Sequence, residues 1–84
     1  ANSIAVLPFV NLTADSTQDY FADGVVESIT AALSRIRSFF VIARNSAFAY
    51  KGKDTPITTI AEQLNVGHIL EGSVRKAGDR IRVT

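Results

Sequence analysis

The residue types that could do chemistry are few in this sequence and widely spread. His68 is the only histidine, so a histidine metal site would have to be completed by carboxylates, and no HxxxH or HExxH spacing exists. Beside Ile69 and Leu70 it reads as a strand residue. Serines are present, but Ser-His-acid chemistry needs a nucleophile exposed on a strained turn, and no GxSxG occurs. A hydrolase is set aside. The chain has no cysteine, which removes thiol nucleophiles, thiolate metal sites and disulfides together. Asp19, Asp23 and Glu27 recur at four-residue steps and could gather a hard cation such as Mg²⁺ on one helix face. Acids near the positive end of a solvated helix explain them without a metal. No catalytic, cofactor-binding or metal-ligating residue is assigned.

Neither GxxxxGK[ST] nor GxGxxG occurs, so the usual phosphate-cradling loops are missing and no cofactor is expected. Open parallel sheets bind ligands beyond the carboxyl ends of their strands, here the region of Asn11, Arg44, Asn45 and Ser46, where Arg44 could clamp a carboxylate or phosphate. Lys51, Lys53, Arg75, Lys76, Arg80 and Arg82 form a basic cluster, with Phe48 and Tyr50 nearby as aromatics able to stack on bases. A formal net charge of +1 and the absence of a recognition-helix pattern argue for a solvated hairpin and no nucleic-acid partner. The candidate ligand or partner contacts are therefore Asn11, Arg44, Asn45, Ser46, Tyr50, Lys51, Arg75 and Arg82.

These residues need elements to position them. Ser3 to Phe9, SIAVLPF, is nearly unbroken apolar sequence, and its core Ile4 to Leu7 suits a strand covered on both faces. Pro8 cannot donate to a ladder, so regular pairing is expected to end there. Asn2, like Ala1, is left out of the fold reading. After a polar connection from Asn11 to Thr17, Ser16 and Asp19 have capping-box spacing. Phe21, Val25, Ile29, Ala32, Leu33 and Ile36 then form one apolar helical stripe, with Arg35 and Arg37 complementing the dipole at its end. Gly24 inside the helix is expected to allow close packing against a strand.

Phe39 to Ala43 reads as a second buried strand, parallel to the first through a right-handed crossover. Arg44 to Asp54 is a long connection. Thr55 as N-cap and Pro56 at the first helical position open a second helix, with Ile57, Ile60, Ala61 and Leu64 on one face and Gly67 as its left-handed stop. From His68 the chain is strand again. Gly78-Asp79 marks a two-residue hairpin, which sets Val74 opposite Val83, Lys76 opposite Ile81, and Arg75 opposite Arg82. That like-charge pair is unfavourable and asks for solvent or an anionic partner. The expected fold is α/β, β-α-β-α-β-β, a mixed sheet packed against two amphipathic helices.

At 84 residues the chain is expected to be one small domain, and it buries only about 60 to 65% of its unfolded surface on folding. Hydrophobic residues make up 46% and charged residues 20%, the balance of a folding rather than a disordered chain. No run approaches the ~20 apolar residues that span a bilayer, and no secretory signal pattern is visible. No membrane insertion is expected.

The runs SIAVLPFVNLT, YFADG, LSRI, FFVIARNSAFAYKGK and HILEGSVRKAGDRIRVT resemble a TolB-like N-terminal (FlgO/TolB-type) module over essentially the whole chain. Such modules occur beside class III adenylate/guanylate cyclase domains or winged-helix DNA-binding domains, and ahead of tetratricopeptide repeats, in bacterial signalling proteins. The resemblance implies an α/β accessory module without catalysis of its own. The two metal-binding aspartates of purine cyclases have no matching motif here, so no catalytic residue carries over. Because the family pattern continues past Thr84, residues 1–84 are expected to be a truncated fragment of a larger multidomain protein. The expected function is a non-catalytic interaction or regulatory module of an adenylate/guanylate cyclase-type protein. The alternatives are an anion or nucleotide sensor near Arg44, or the equivalent module of a winged-helix regulator. Expected partners are neighbouring domains or another protein, or a second copy through the 80–84 edge strand. The expected compartment is the cytoplasm, or the periplasm if the protein is exported as TolB is.

Overall fold

The computed structural model describes residues 2–13 and 15–84, so Ala1 lies outside the described residues. The chain runs β1 (Asn2–Val6), β2 (Val10–Asn11), α1 (Gln18–Ser34), β3 (Phe39–Val41), α2 (Arg44–Phe48), α3 (Ile57–Leu64), β4 (His68–Leu70), β5 (Ser73–Ala77) and β6 (Arg80–Val83). These strands build two three-stranded sheets, β3-β1-β4 and β2-β5-β6. The first is wholly parallel and the second is mixed. A small α/β fold is as expected, whereas a single mixed sheet over two helices is not what forms.

The division into two sheets comes from Pro8. Ile4 faces His68 and Val6 faces Leu70 in the first sheet, whereas Val10 faces Ser73 in the second. Three residues, Leu7, Pro8 and Phe9, thus span the length covered by Glu71 and Gly72 on the neighbouring strand. This is a bulge at a residue that has no N–H to donate. Pairing stands on both sides of Pro8, with Leu7 N–H donating to Leu70 O before it and Val10 N–H to Gly72 O after it, both at 3.0 Å. Gly72 is required by the close approach. A Cβ there would meet the carbonyl oxygen of Thr84, and the Phe9 ring at 2.6 Å.

Alternation along β1 sends Val6 to one face and Leu7 to the other. Val6, Phe9, Ala22, Val26 and Val74 form one buried cluster against α1, while Leu7, Ala47 and Ile60 form a second beneath α2 and α3. Helix α1 packs against strands of both sheets. It therefore holds them together, since Val6 belongs to the first sheet and Val74 to the second.

Several local expectations are corrected. Asn2 belongs to β1, paired with Phe39. Of the expected α1 stripe, Val25, Ile29 and Leu33 pack against the buried cluster, whereas Phe21, Ala32 and Ile36 are exposed and the buried helix residues are Gln18, Ala22 and Val26. Gly24 meets no neighbour within 4 Å of a Cβ position, so close packing does not explain it. Ser16 and Asp19 form no capping box; Thr17 is the N-cap without a side-chain bond. Asp15 takes over that corner, its Oδ1 accepting from the Thr17 N–H at 3.0 Å and the Thr17 hydroxyl at 2.7 Å. No basic residue stands in the last turn of α1, because the helix ends at Ser34 and Arg35 is its C-cap.

Strand β3 is an edge strand, not a buried one, so Phe40 is 61% exposed. Part of the expected Arg44 to Asp54 loop folds as α2, held by burial of Ala47. Five residues are too few to show a helical period in sequence. Pro56 has ψ 142° and stands outside α3, displacing Thr55 from the cap. Asn65, with φ 55°, stops that helix in the left-handed conformation instead of Gly67. Asn reaches this region more readily than other residues that carry a Cβ.

The hairpin expectation holds in full. Val74 faces Val83, Arg75 faces Arg82 and Lys76 faces Ile81. Gly78 supplies φ 62° at the first central position while Asp79 has no positive φ, the pattern of a type II′ turn.

Candidate partner-binding surface

The bulge at Pro8 and the Glu71–Gly72 connection beside it leave a groove of about 960 Å³ at the carboxyl ends of β1 and β4. This is where open parallel sheets tend to bind. Its walls include Phe9, Asn11, Tyr50, Lys51, Ile57 and Ile60. Of the sequence candidates, Asn11, Tyr50 and Lys51 thus come together, while Arg44, Asn45 and Ser46 are not among the described residues that line it.

The three that meet are braced. Asn11 Nδ2 donates to the Asp15 carbonyl and to Asp19 Oδ1, each at 3.0 Å, and its Oδ1 accepts from the Thr13 N–H at 2.9 Å. This side chain is committed to fixing the β2–α1 connection. The Tyr50 hydroxyl donates to Gln63 Oε1 at 2.6 Å, tying the loop to α3. Lys51 Nζ lies 3.0 Å from Asp23 Oδ2, which anchors the same loop to α1. With Lys51 40% and Asp23 24% exposed, water screens the pair, and its contribution is at most about 1 kcal/mol.

Phe48 is the centre of a second arrangement. The Arg44 guanidinium lies 4.6 Å and Lys51 Nζ 4.9 Å from its ring centroid, contacts worth about 0.5–1 kcal/mol each at exposed sites. Arg44 Nε is buried without a hydrogen-bond partner among the described residues. Phe48 therefore braces two cations and is not open to stack on a base. Asn45 and Ser46 are exposed on α2.

The acids do not converge. Asp19 is engaged by Asn11 and Asp23 by Lys51, and no cluster of three or more metal-ligating residues occurs among the described residues. His68 is exposed on β4, in register with Ile4. The hydroxyl and then the backbone N–H of Thr17 hold the Asp15 carboxyl below its usual range, with Lys76 adding a smaller pull.

Arg75 and Arg82 lie apart from the groove's basic residues, opposite each other on the β5–β6 hairpin. Both are exposed and line a shallow concavity of about 720 Å³. Sequence reasoning placed this pair correctly but missed Gly72, whose signal was a glycine inside an otherwise strand-like run. It also missed Gln63 as the partner of Tyr50. No helix among the described residues is long and apolar enough to cross a membrane.

Over 81 residues, 96% of the chain, the sequence is 56% identical to part of a protein of Rhizobium meliloti (strain 1021) named putative adenylate cyclase 3. The chain spans only 14% of that relative's length. No family model and no solved structure matches the chain.

Proposed function

We propose that this chain is a non-catalytic interaction and regulatory module of an adenylate cyclase-type signalling protein, with the TolB-like character its motifs resemble. The observation that carries the reading is the 56% identity to a 14% portion of a protein bearing a cyclase name. Such a portion leaves most of that protein for other segments. Purine-cyclase chemistry needs paired carboxylates on metal, and here Asp19 and Asp23 are each engaged by a neighbouring side chain. What the module offers is surface: a groove, an exposed hairpin, and β6 at the edge of its sheet. Neighbouring domains or another protein are the partners this suits. A sensor reading centred on Arg44 has less support, because its guanidinium is stacked on Phe48 outside the groove.

The test uses the full-length protein that contains this chain, compared with a form lacking residues 1–84. Cyclic AMP synthesis should persist without the segment, while its regulation or the protein's assembly state changes. The isolated chain should form no cyclic nucleotide from ATP or GTP with Mg²⁺ or Mn²⁺. Synthesis by the isolated chain, or a deletion that alters neither regulation nor assembly, would overturn the proposal.

A further inference from the structure

On the β2-β5-β6 sheet, Val74 is buried against α1. Its alternating neighbours Ser73, Arg75 and Ala77 therefore point the other way, along with their cross-strand partners Thr84, Arg82 and Arg80. Three guanidiniums share this outer face. None forms an ion pair among the described residues, where the pair formed is Lys51–Asp23. Placing Arg75 directly opposite Arg82 is unfavourable unless a counter-charge arrives.

Strand β2 borders the same face with aliphatic side chains. Val10 is in register with Ser73 and Leu12 follows two residues on, 58% and 50% exposed. The concavity over the arginines shares Leu12, Ser73 and Thr84 with the groove at Pro8. The two adjoin along these residues; the groove carries Ile57 and Ile60 with Asp19, Asp54 and Glu71 also on its wall, and the concavity is cationic toward the hairpin.

The geometry points to a docking surface for an extended acidic segment of a partner protein. Its aliphatic side chains seat against Val10, Leu12 and the groove, and its carboxylates meet Arg75, Arg80 and Arg82. This rests on the reading of the chain as an interaction module and names that module's partner by its chemistry. Planar guanidinium forks match carboxylates in bidentate fashion. Single-stranded nucleic acid fits less well, since none of the residues lining the arginine concavity is aromatic, and in the adjoining groove Phe9 is buried in the core and Tyr50 is tied to Gln63, whereas base stacking needs an open aromatic platform. The near-balanced charge of +1 also gives no broad attraction for a phosphate backbone.

The probe is a fluorescein-labelled peptide of about ten residues alternating leucine with glutamate, an extended length of roughly 33 Å, followed by fluorescence anisotropy on the 84-residue chain. Binding should weaken at least about tenfold in the double variant Arg75→Glu/Arg82→Glu, and should fall with added salt. It should be unchanged in Arg35→Glu/Arg37→Glu, which makes the same net-charge change elsewhere. Circular dichroism checks that each variant folds, and these exposed side chains carry no core contact. Equal weakening in both double variants would reduce the effect to net charge and overturn the inference. So would a single-stranded oligonucleotide binding as tightly as the peptide, or self-association of the chain that the Arg75→Glu/Arg82→Glu variant abolishes. Any of these would leave the deletion experiment on the full-length protein untouched.

Discussion

Two glycines illustrate how differently one residue type can be used. Gly24 sits inside α1 with open space at its Cβ position, so Gly24→Ala should stabilise by about 0.5–1 kcal/mol through lower chain entropy and better helix propensity. That is a rise of roughly 2–8 °C in Tm for a domain of this size, and an unchanged or lower Tm would contradict it. Gly72 lies under the Phe9 ring and against Thr84. Gly72→Ala should cost about 1–3 kcal/mol in urea unfolding, as overpacking does. Sequence alone could not tell these two apart, because the difference lies in what each one faces. Asp15 gives a third prediction at this scale. Thr17 lowers its carboxyl pKa, so this contribution to stability is present above the carboxyl's ordinary unfolded value and is lost as pH falls through the depressed folded one. In an NMR pH titration Thr17→Val should move Asp15 back up toward the ordinary range. An unmoved midpoint would show that the hydroxyl is not the cause.

Among the elements, α1 is the one on which the architecture depends. Its existence was legible from three- and four-residue apolar spacing, and its buried face in part, since Val25, Ile29 and Leu33 do pack against the core. Phe21 and Ile36 fit the stripe by periodicity yet are exposed, because the helix packs across two sheets and turns Ala22 and Val26 into the core. Val26 joins Val6 of the first sheet to Val74 of the second. Removing its two methyl groups in Val26→Ala should cost about 2–3 kcal/mol by transfer and cavity terms, and should loosen both sheets together. A loss below about 0.5 kcal/mol by chemical denaturation, the level of an ordinary surface change, would mean the helix is not the bridge. The hairpin behaved differently, since its register follows from two turn residues and strand alternation, with no long-range information needed. Helix α2 had no such local signature, and only burial of Ala47 accounts for it.

At the scale of the molecule, the two sheets lie within a body of 42 × 28 × 18 Å. β1 is central in its sheet with Ala5 and Val6 buried, while every residue of β6 is exposed. Native-state hydrogen exchange should therefore find the Ala5 and Val6 amides among the slowest and those of β6 markedly faster, because local opening is easiest where burial is least. Equal protection across the two sheets would contradict this division. The sequence by itself determined the α/β class, the parallel pairing of the first strand with the run at Phe39, and the hairpin register. Each of these rests on local periodicity, turn chemistry or residue identity. Tertiary structure alone decided that Pro8 and Gly72 divide the strands between two sheets, that Arg44 lies away from the groove, and that α1 covers the Val74 face of the hairpin sheet and leaves the arginine face bare. These depend on which distant residues end up side by side, and no window of sequence records that.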